Sequence, residues 1–274
     1  MGYTIVFGKS NKDDYFYFVD YITKIYIYDI ISIIMNLDQS GQHYMVDKKL
    51  IKYIVDEAML LPDDVVLEIG SGHGELTKGI AKKCKVIAVD VDDSDLNGGN
   101  IVFVKGNILE IFLDLHNKYG FNKIISNIPY NISEPLMKLI FKIDVEFILM
   151  TMGKNFADLL IKKDNRISII ANELYNIEIL KLISPKSFRP MPRVDSALVL
   201  MQQRDLDIVQ KPAIYYKELV MLDDKKLRNA LPSILPGNKK DLKKKLEDQL
   251  YDKKLYQLSN KEFLKLDELM RKKS

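Results

Sequence analysis

Residues 65–90 constrain the fold more than any other part of the chain. VVLEI (65–69) is a short apolar run that enters Gly70-Ser71-Gly72-His73-Gly74 directly. A helix is expected over 75–83, and VIAVD (86–90) is a second apolar run that ends on an acid, Asp90. Further apolar runs follow in NIVFVKGN (100–107), KIISN (123–127) and VEFILMTM (145–152). Helices are expected over 48–60, 133–142 and within 153–175, from the spacing of their apolar residues. Strands that alternate with helices indicate a mostly parallel, doubly wound sheet of the Rossmann-like α/β class. NIEILKLI (176–183) and SALVLMQQ (196–203) read as a closing antiparallel pair, separated by the three-proline loop PKSFRPMPR (185–193), which proline rings stiffen. Beyond Asp205 the pattern turns helical, with Pro232 and Pro236-Gly237 as breakers.

This pattern divides the 274 residues into three parts. Residues 1–34 are Tyr- and Ile-rich without a clean period, and are expected to be an upstream extension outside the fold, with Met35 as the natural beginning. Residues 35–205 form the sheet domain, and 206–274 a small basic helical domain. The last 50 residues carry 15 Lys and Arg against 7 Asp and Glu, an excess of +8 on a chain of net charge +3, which leaves −5 for the rest. A basic appendage on a mildly acidic body suits a polyanion such as a nucleic acid, although a solvated lysine-rich helix has the same composition.

Other classes are disfavoured. A single cysteine, Cys84, allows no intramolecular disulfide. The three histidines, His43, His73 and His116, lack ligand spacing, so no metal site is expected. The most apolar N-terminal run, 25–35, is shorter than the roughly 20 residues of a membrane span and is broken by Asp29. No signal peptide is apparent, and a cytoplasmic address without a membrane partner is expected.

The glycine turn and Asp90 together point to a nucleoside across the strand ends, with the carboxylate accepting from ribose hydroxyls. A dinucleotide fingerprint would place its third glycine at position 75, which is Glu75. The spacing is G-x-G-x-G behind Glu68, as in S-adenosylmethionine enzymes, whose cofactor is cationic and has no phosphate. Gly70, Gly72, Glu68 and Asp90 are therefore candidate cofactor residues. Asn107, followed by Ile108, ends the third strand where an adenine ring would lie; its amide could pair with the ring, or GN could simply turn the chain.

SNIPYNIS (126–133) sits at the end of the fourth strand. Asn and Pro suit a turn, but a turn does not require Tyr130. A loop that grips an exocyclic amine explains all three residues. The lone pair of such an amine is delocalised into its ring; acceptors on Asn127 and on the Ile128 or Pro129 carbonyl would hold its N–H groups. Pro129 would stiffen the turn, and Tyr130 would offer a stacking face to a flipped base.

GQHYMVD (41–47), VLEIGSGHGELT (66–77), SNIPYNIS (126–133) and FRPMPRVDSALV (188–199) together resemble the KsgA-type small-subunit ribosomal RNA adenine dimethyltransferases. The resemblance spans roughly residues 36–235. It implies a class I methyltransferase fold, S-adenosylmethionine as cofactor, and transfer of two methyl groups to N6 of each of two adjacent adenines in an rRNA hairpin of the immature small subunit; a monomer is expected. It adds His43 and Met45 to the cofactor residues, with Asn127 shared between cofactor and substrate. RNA contacts are implied for Arg189, Arg193, Lys225, Lys226 and Arg228. The sequence departs from the family pattern at Asn107, where Asp is usual, and at Asp90, often Glu; both keep acceptor oxygens. The basic stretch before LRN is reduced to DDKKLRNAL (223–231). Two rivals stand beside this reading: a large-subunit rRNA adenine methyltransferase of the antibiotic-resistance type, and a non-catalytic assembly factor on the same fold.

Overall fold

In the computed structural model, the described residues are 42–205, 211–236, 242–244, 246 and 248–272. The expected extension 1–34 lies outside them.

Each expected strand forms. In chain order they are β2 (Val65–Ile69), β3 (Lys85–Asp90), β4 (Ile101–Lys105), β5 (Lys123–Asn127), β6 (Phe147–Gly153), β7 (Tyr175–Ile183) and β9 (Ser196–Gln203). They make one sheet in the order β4-β3-β2-β5-β6-β9-β7. The first five strands pair in parallel, and β9 runs antiparallel between β6 and β7. The order reverses between β2 and β5, where a doubly wound sheet opens a crevice beyond its carboxyl ends. All seven residues of β6 are buried, as a central strand covered on both faces requires.

The helices are α1 (Lys48–Glu57), α2 (Glu75–Ala81), α3 (Ile108–Tyr119), α4 (Ser133–Ile140), α5 (Lys154–Lys162) and α6 (Arg166–Leu174), then α7 (Lys211–Met221), α8 (Leu227–Ile234), α9 (Asp248–Tyr251) and α10 (Asn260–Arg271). Helix α1 stops earlier than its apolar spacing suggests, because Met59 turns left-handed (φ 44°) ahead of Pro62. The stretch 153–175 splits at Lys163, also left-handed (φ 56°), and Asn165 starts α6 with a reciprocal cap with Ser168. Helix α3 has no counterpart in the sequence reading, which placed a strand and a turn up to Asn107 and no element between it and KIISN. The proline loop holds more than a turn: a two-residue strand, β8 (Phe188–Arg189), pairs antiparallel with β1 (Tyr44–Met45).

Two buried clusters flank the sheet. One packs α1 and α2 on one face, with Ile54, Ile80, Val86 and Leu149. The other runs from Leu67, Ile124 and Met150 on the opposite face through Ile170 and Tyr216 to Phe263 and Leu266 of α10. The helices after β9 therefore share a core with the sheet, and the chain from His43 onward forms one compact unit. Residues 206–210, where the domain boundary was expected, are outside the described set. Among the described residues, no helix is long and apolar enough to cross a membrane.

Candidate active site

Strands β2, β3, β5 and β6 end on the same edge, and their last residues build the site. After Ile69 the chain turns at once: the amides of Gly70 and Ser71 both donate to the Val89 carbonyl, at 2.8 and 3.1 Å. Gly72 is left-handed (φ 50°), and a Cβ there would lie 2.7 Å from the Tyr44 ring, so a side chain is excluded by both backbone and space. This lets the Gly72 amide reach the Asp90 carboxylate at 2.7 Å, while Asp92 N–H donates to the other oxygen at 3.1 Å. The acid at the end of β3 is thus aimed by two backbone donors and remains half-exposed.

Glu68, one strand over, is 2% exposed, and its Oε2 has no hydrogen-bond partner among the described residues. Burial pushes its carboxyl up to about 8; Thr77 opposes the shift and the Asp90 charge adds to it. No Lys or Arg lies between Val65 and Thr77.

The NIPY loop meets the glycine turn. A Cβ on Gly70 would stand 3.5 Å from Pro129 Cδ and 3.7 Å from the Asn127 carbonyl oxygen. Ser126 laces the two strands together, donating to the Ile69 carbonyl and accepting from the Ile69 amide. The Asn127 side chain is oriented from far along the chain: its Nδ2 donates to the His43 carbonyl at 2.9 Å. Its Oδ1 is buried and has no partner among the described residues.

Tyr130 opens a single 3-10 turn, Tyr130–Ile132. A Cβ on Gly153 would sit 3.5 Å from its ring, and the His43 ring lies 5.6 Å away, tilted by 39°. Its hydroxyl pairs with that of the fully buried Ser196. Burial raises the phenol's pKa, with Ser196 working against it, so the hydroxyl stays neutral near pH 7. The β1–β8 pair carries His43 into place: Tyr44 faces Arg189, buried Met45 faces Phe188, and His43 Nδ1 lies 2.9 Å from the Pro190 carbonyl.

The structure thus brings His43, Met45, Glu68, Gly70, Gly72, Asp90, Asn127, Pro129 and Tyr130 to one edge of the sheet. Asn107 is placed differently from a free reader of a ring. Its oxygen caps α3 through the Leu109 amide at 3.1 Å, and its nitrogen donates to Glu110 at 2.8 Å; Ile108 behind it is buried. Arg189 and Arg193 lie exposed on the loop beside the site, and one Arg189 nitrogen donates to the Lys186 and Phe188 carbonyls. Lys225, Lys226 and Arg228 are exposed at the start of α8, with Arg228 paired to Asp252 at 2.7 Å. Among the described residues, no cluster of His, Cys, Asp and Glu is placed to hold a metal.

Sequence reasoning missed Ser126, Thr151 and Ser196. Each is a small polar residue inside a buried apolar strand, and that misfit was the available signal; Thr151 Oγ1 is likewise buried without a partner among the described residues.

The sheet order and glycine-turn site are those of a class I methyltransferase. The model of the ribosomal RNA adenine dimethylases matches residues 36–270, and the chain belongs to that family. A probable ribosomal RNA small subunit methyltransferase A of Methanopyrus kandleri is 34% identical over 58% of this chain and 61% of its own length. The corresponding protein of Methanococcoides burtonii is 32% identical over 72% of this chain and 77% of its own. Among solved structures, a dimethyladenosine transferase from Plasmodium falciparum superimposes with a TM-score of 0.58 at 22% identity, covering 84% of this chain and 98% of that one. The 23S rRNA methyltransferase ErmE gives 0.52 at 20% identity, covering 83% and 99%. At these identities the two structures speak for the fold alone.

Proposed function

We propose that this protein transfers methyl groups from S-adenosylmethionine to N6 of two adjacent adenines in small-subunit rRNA. The observation that carries the reading is the Asn127 amide, clamped through Nδ2 so that Oδ1 is the unmet acceptor, with Tyr130 following it on the same loop. An acceptor in that place holds an N–H of the target amine and turns its lone pair out of the base plane. Tyr130, pinned by Ser196, offers a ring face for the extruded base. Neutral Tyr130 is no base, and none is required: the amine loses its proton after the new N–C bond forms. Positioning is then the main contribution of the protein.

The residues present fit the cofactor. A buried carboxyl with one unmet oxygen, an aimed aspartate and a glycine turn without Lys or Arg suit a ligand that carries positive charge and no phosphate. When bound, S-adenosylmethionine supplies an electrophilic methyl on a sulfonium. Asp90 would accept from the ribose hydroxyls, Glu68 would take its charged form against the cationic end, and the His43–Met45 strap would cover the ligand. Asn107, through its capping oxygen and Ile108, would border the base of the cofactor. Arg189, Arg193, Lys225, Lys226 and Arg228 would contact RNA phosphates, which position the substrate without reading its sequence.

The test is labelled methyl transfer to under-methylated small and large subunits, with mass spectrometry of the nucleosides. Dimethyladenosine in the small-subunit rRNA supports the reading. Label confined to the large subunit, or Asn127→Ala transferring at a near-normal rate, overturns it.

A further inference from the structure

Methylation of a stacked adenine requires that the base leave its stack, and an inserted apolar side chain is one way a protein holds the opened stack apart. The protein carries a segment shaped for this beside Tyr130. Residues 190–195, PMPRVD, join β8 to β9, and both ends are tied to the site. At the first end, the Pro190 carbonyl meets the His43 ring. At the second, the Asp195 carbonyl accepts from the Lys154 amide at 2.9 Å, and the next residue, Ser196, holds the Tyr130 hydroxyl.

Between these anchors Pro192 is buried, while Met191 and Val194 project outward, 57% and 43% exposed. Exposed apolar side chains occur elsewhere among the described residues, Met59 and Leu61 included; Met191 and Val194 differ in lying on the segment tied to Tyr130. Arg193 stands exposed between the two apolar side chains, and Arg189 just before them. The exposed Asp195 follows Val194, so the cations lie on the amino-terminal side of Val194; an apolar tip with cations there suits a stacked polyanion, the tip entering between bases and the cations lying along phosphates. Apolar side chains that insert at a base step are an established device for unstacking nucleic acids, and Met, unbranched and polarisable, adapts to an aromatic face.

We infer that Met191, supported by Val194, is the wedge that occupies the stack position left by the adenine extruded toward Asn127 and Tyr130. Met191 is then a positioning residue: it holds the RNA open and touches neither the amine nor the cofactor. The inference rests on the proposed methylation and goes beyond it by assigning the opening step to a named side chain.

The test uses the full-length protein and a synthetic RNA hairpin with 2-aminopurine in place of one of two adjacent adenines, whose fluorescence rises on unstacking. The wild type should raise the signal on binding. Met191→Ala should lose at least fivefold of that rise with RNA affinity, read by anisotropy, within about twofold. Methyl transfer to under-methylated small subunits should fall at least tenfold, with an unchanged melting temperature and cofactor affinity, and Met191→Leu should restore both readouts. A Met191→Ala protein that keeps the fluorescence rise and the transfer rate overturns the wedge. So does one that loses particle binding alone, which would make Met191 a docking contact, and so does a wild type that methylates without any fluorescence rise. If the wild type transfers no methyl to small subunits, it is the functional reading itself that fails.

Discussion

The two ends of the β2–β5 strand pair differ in how they treat buried polar groups. At the amino ends, every named polar group is met. Asp64 and Lys123 form an ion pair at 2.9 Å with side chains 5% and 10% exposed. Asp64 also accepts from the Leu61 amide at 2.7 Å and from Asn122 at 2.9 Å, while Lys123 donates to the Ala58 and Met59 carbonyls. Burial alone would raise the Asp64 carboxyl, but Leu61, Lys123 and Asn122 together hold it below its usual range. At the carboxyl ends of the same strands, Glu68 and Asn127 each keep a buried oxygen without a partner among the described residues. A buried acceptor left unmet costs about 1–3 kcal/mol, and a bound ligand is one way to meet it. His116 in α3 and Tyr251 in α9 keep such atoms too, whereas only Glu68 and Asn127 among these bring them to the carboxyl ends of β2 and β5. One end of the pair is closed by its own partners; the other, under the proposed function, is completed by a ligand.

That contrast can be broken from either side. Replacing Lys123 with Met strands the Asp64 charge and should cost about 3–5 kcal/mol in denaturant unfolding, with methyl transfer per folded molecule unchanged. Because the folded Asp64 pKa is depressed, this end contributes stability above the ordinary carboxyl pKa and loses it as pH falls through the folded value; Lys123→Met should flatten that acid limb.

Glu68 has the opposite sign. Its folded carboxyl binds a proton between its ordinary value and about 8 that the unfolded chain has released. Stability of the ligand-free protein should therefore fall across that window, by up to about 1.4 kcal/mol per pH unit, and level off above it. Glu68→Gln should remove the slope in melts taken from pH 5 to 9 and weaken S-adenosylmethionine binding at the same time. Loss of both slope and affinity sharpens the contrast; a slope that survives the substitution assigns the buried proton elsewhere.

The smallest effect is expected at Tyr130→Phe, which keeps the ring and loses only the Ser196 partner. The rate should drop a fewfold, about 1 kcal/mol, whereas Tyr130→Ala should cost far more. Equal losses in single-turnover assays would mean that the hydroxyl, not the stacking face, matters at this position.

What was legible in the sequence follows from range. The runs VVLEI, VIAVD and KIISN announce strands by local composition, and the glycine turn and SNIPY loop announce, by where they fall, the turns at the carboxyl ends of those strands. Helix α3 escaped because ILEIFLDLHNKY begins directly after a strand, and its start depends on Asn107, read there as a turn or a ring contact. The pairing of β1 with β8, the His43 carbonyl on Asn127 and the Ser196 hydroxyl on Tyr130 join residues far apart in the chain, and no local spacing encodes them. The same holds for the buried pair of Asp64 and Lys123, which lie 59 positions apart in the numbering.

The most direct test sets Asn127→Ala beside Lys123→Met and measures unfolding free energy and single-turnover methyl transfer on both. Asn127→Ala should lose at least about a hundredfold in rate while staying within about 1 kcal/mol of wild-type stability, and Lys123→Met should do the reverse. An Asn127→Ala protein that unfolds readily yet still methylates within a fewfold of wild type would contradict the role assigned to Asn127.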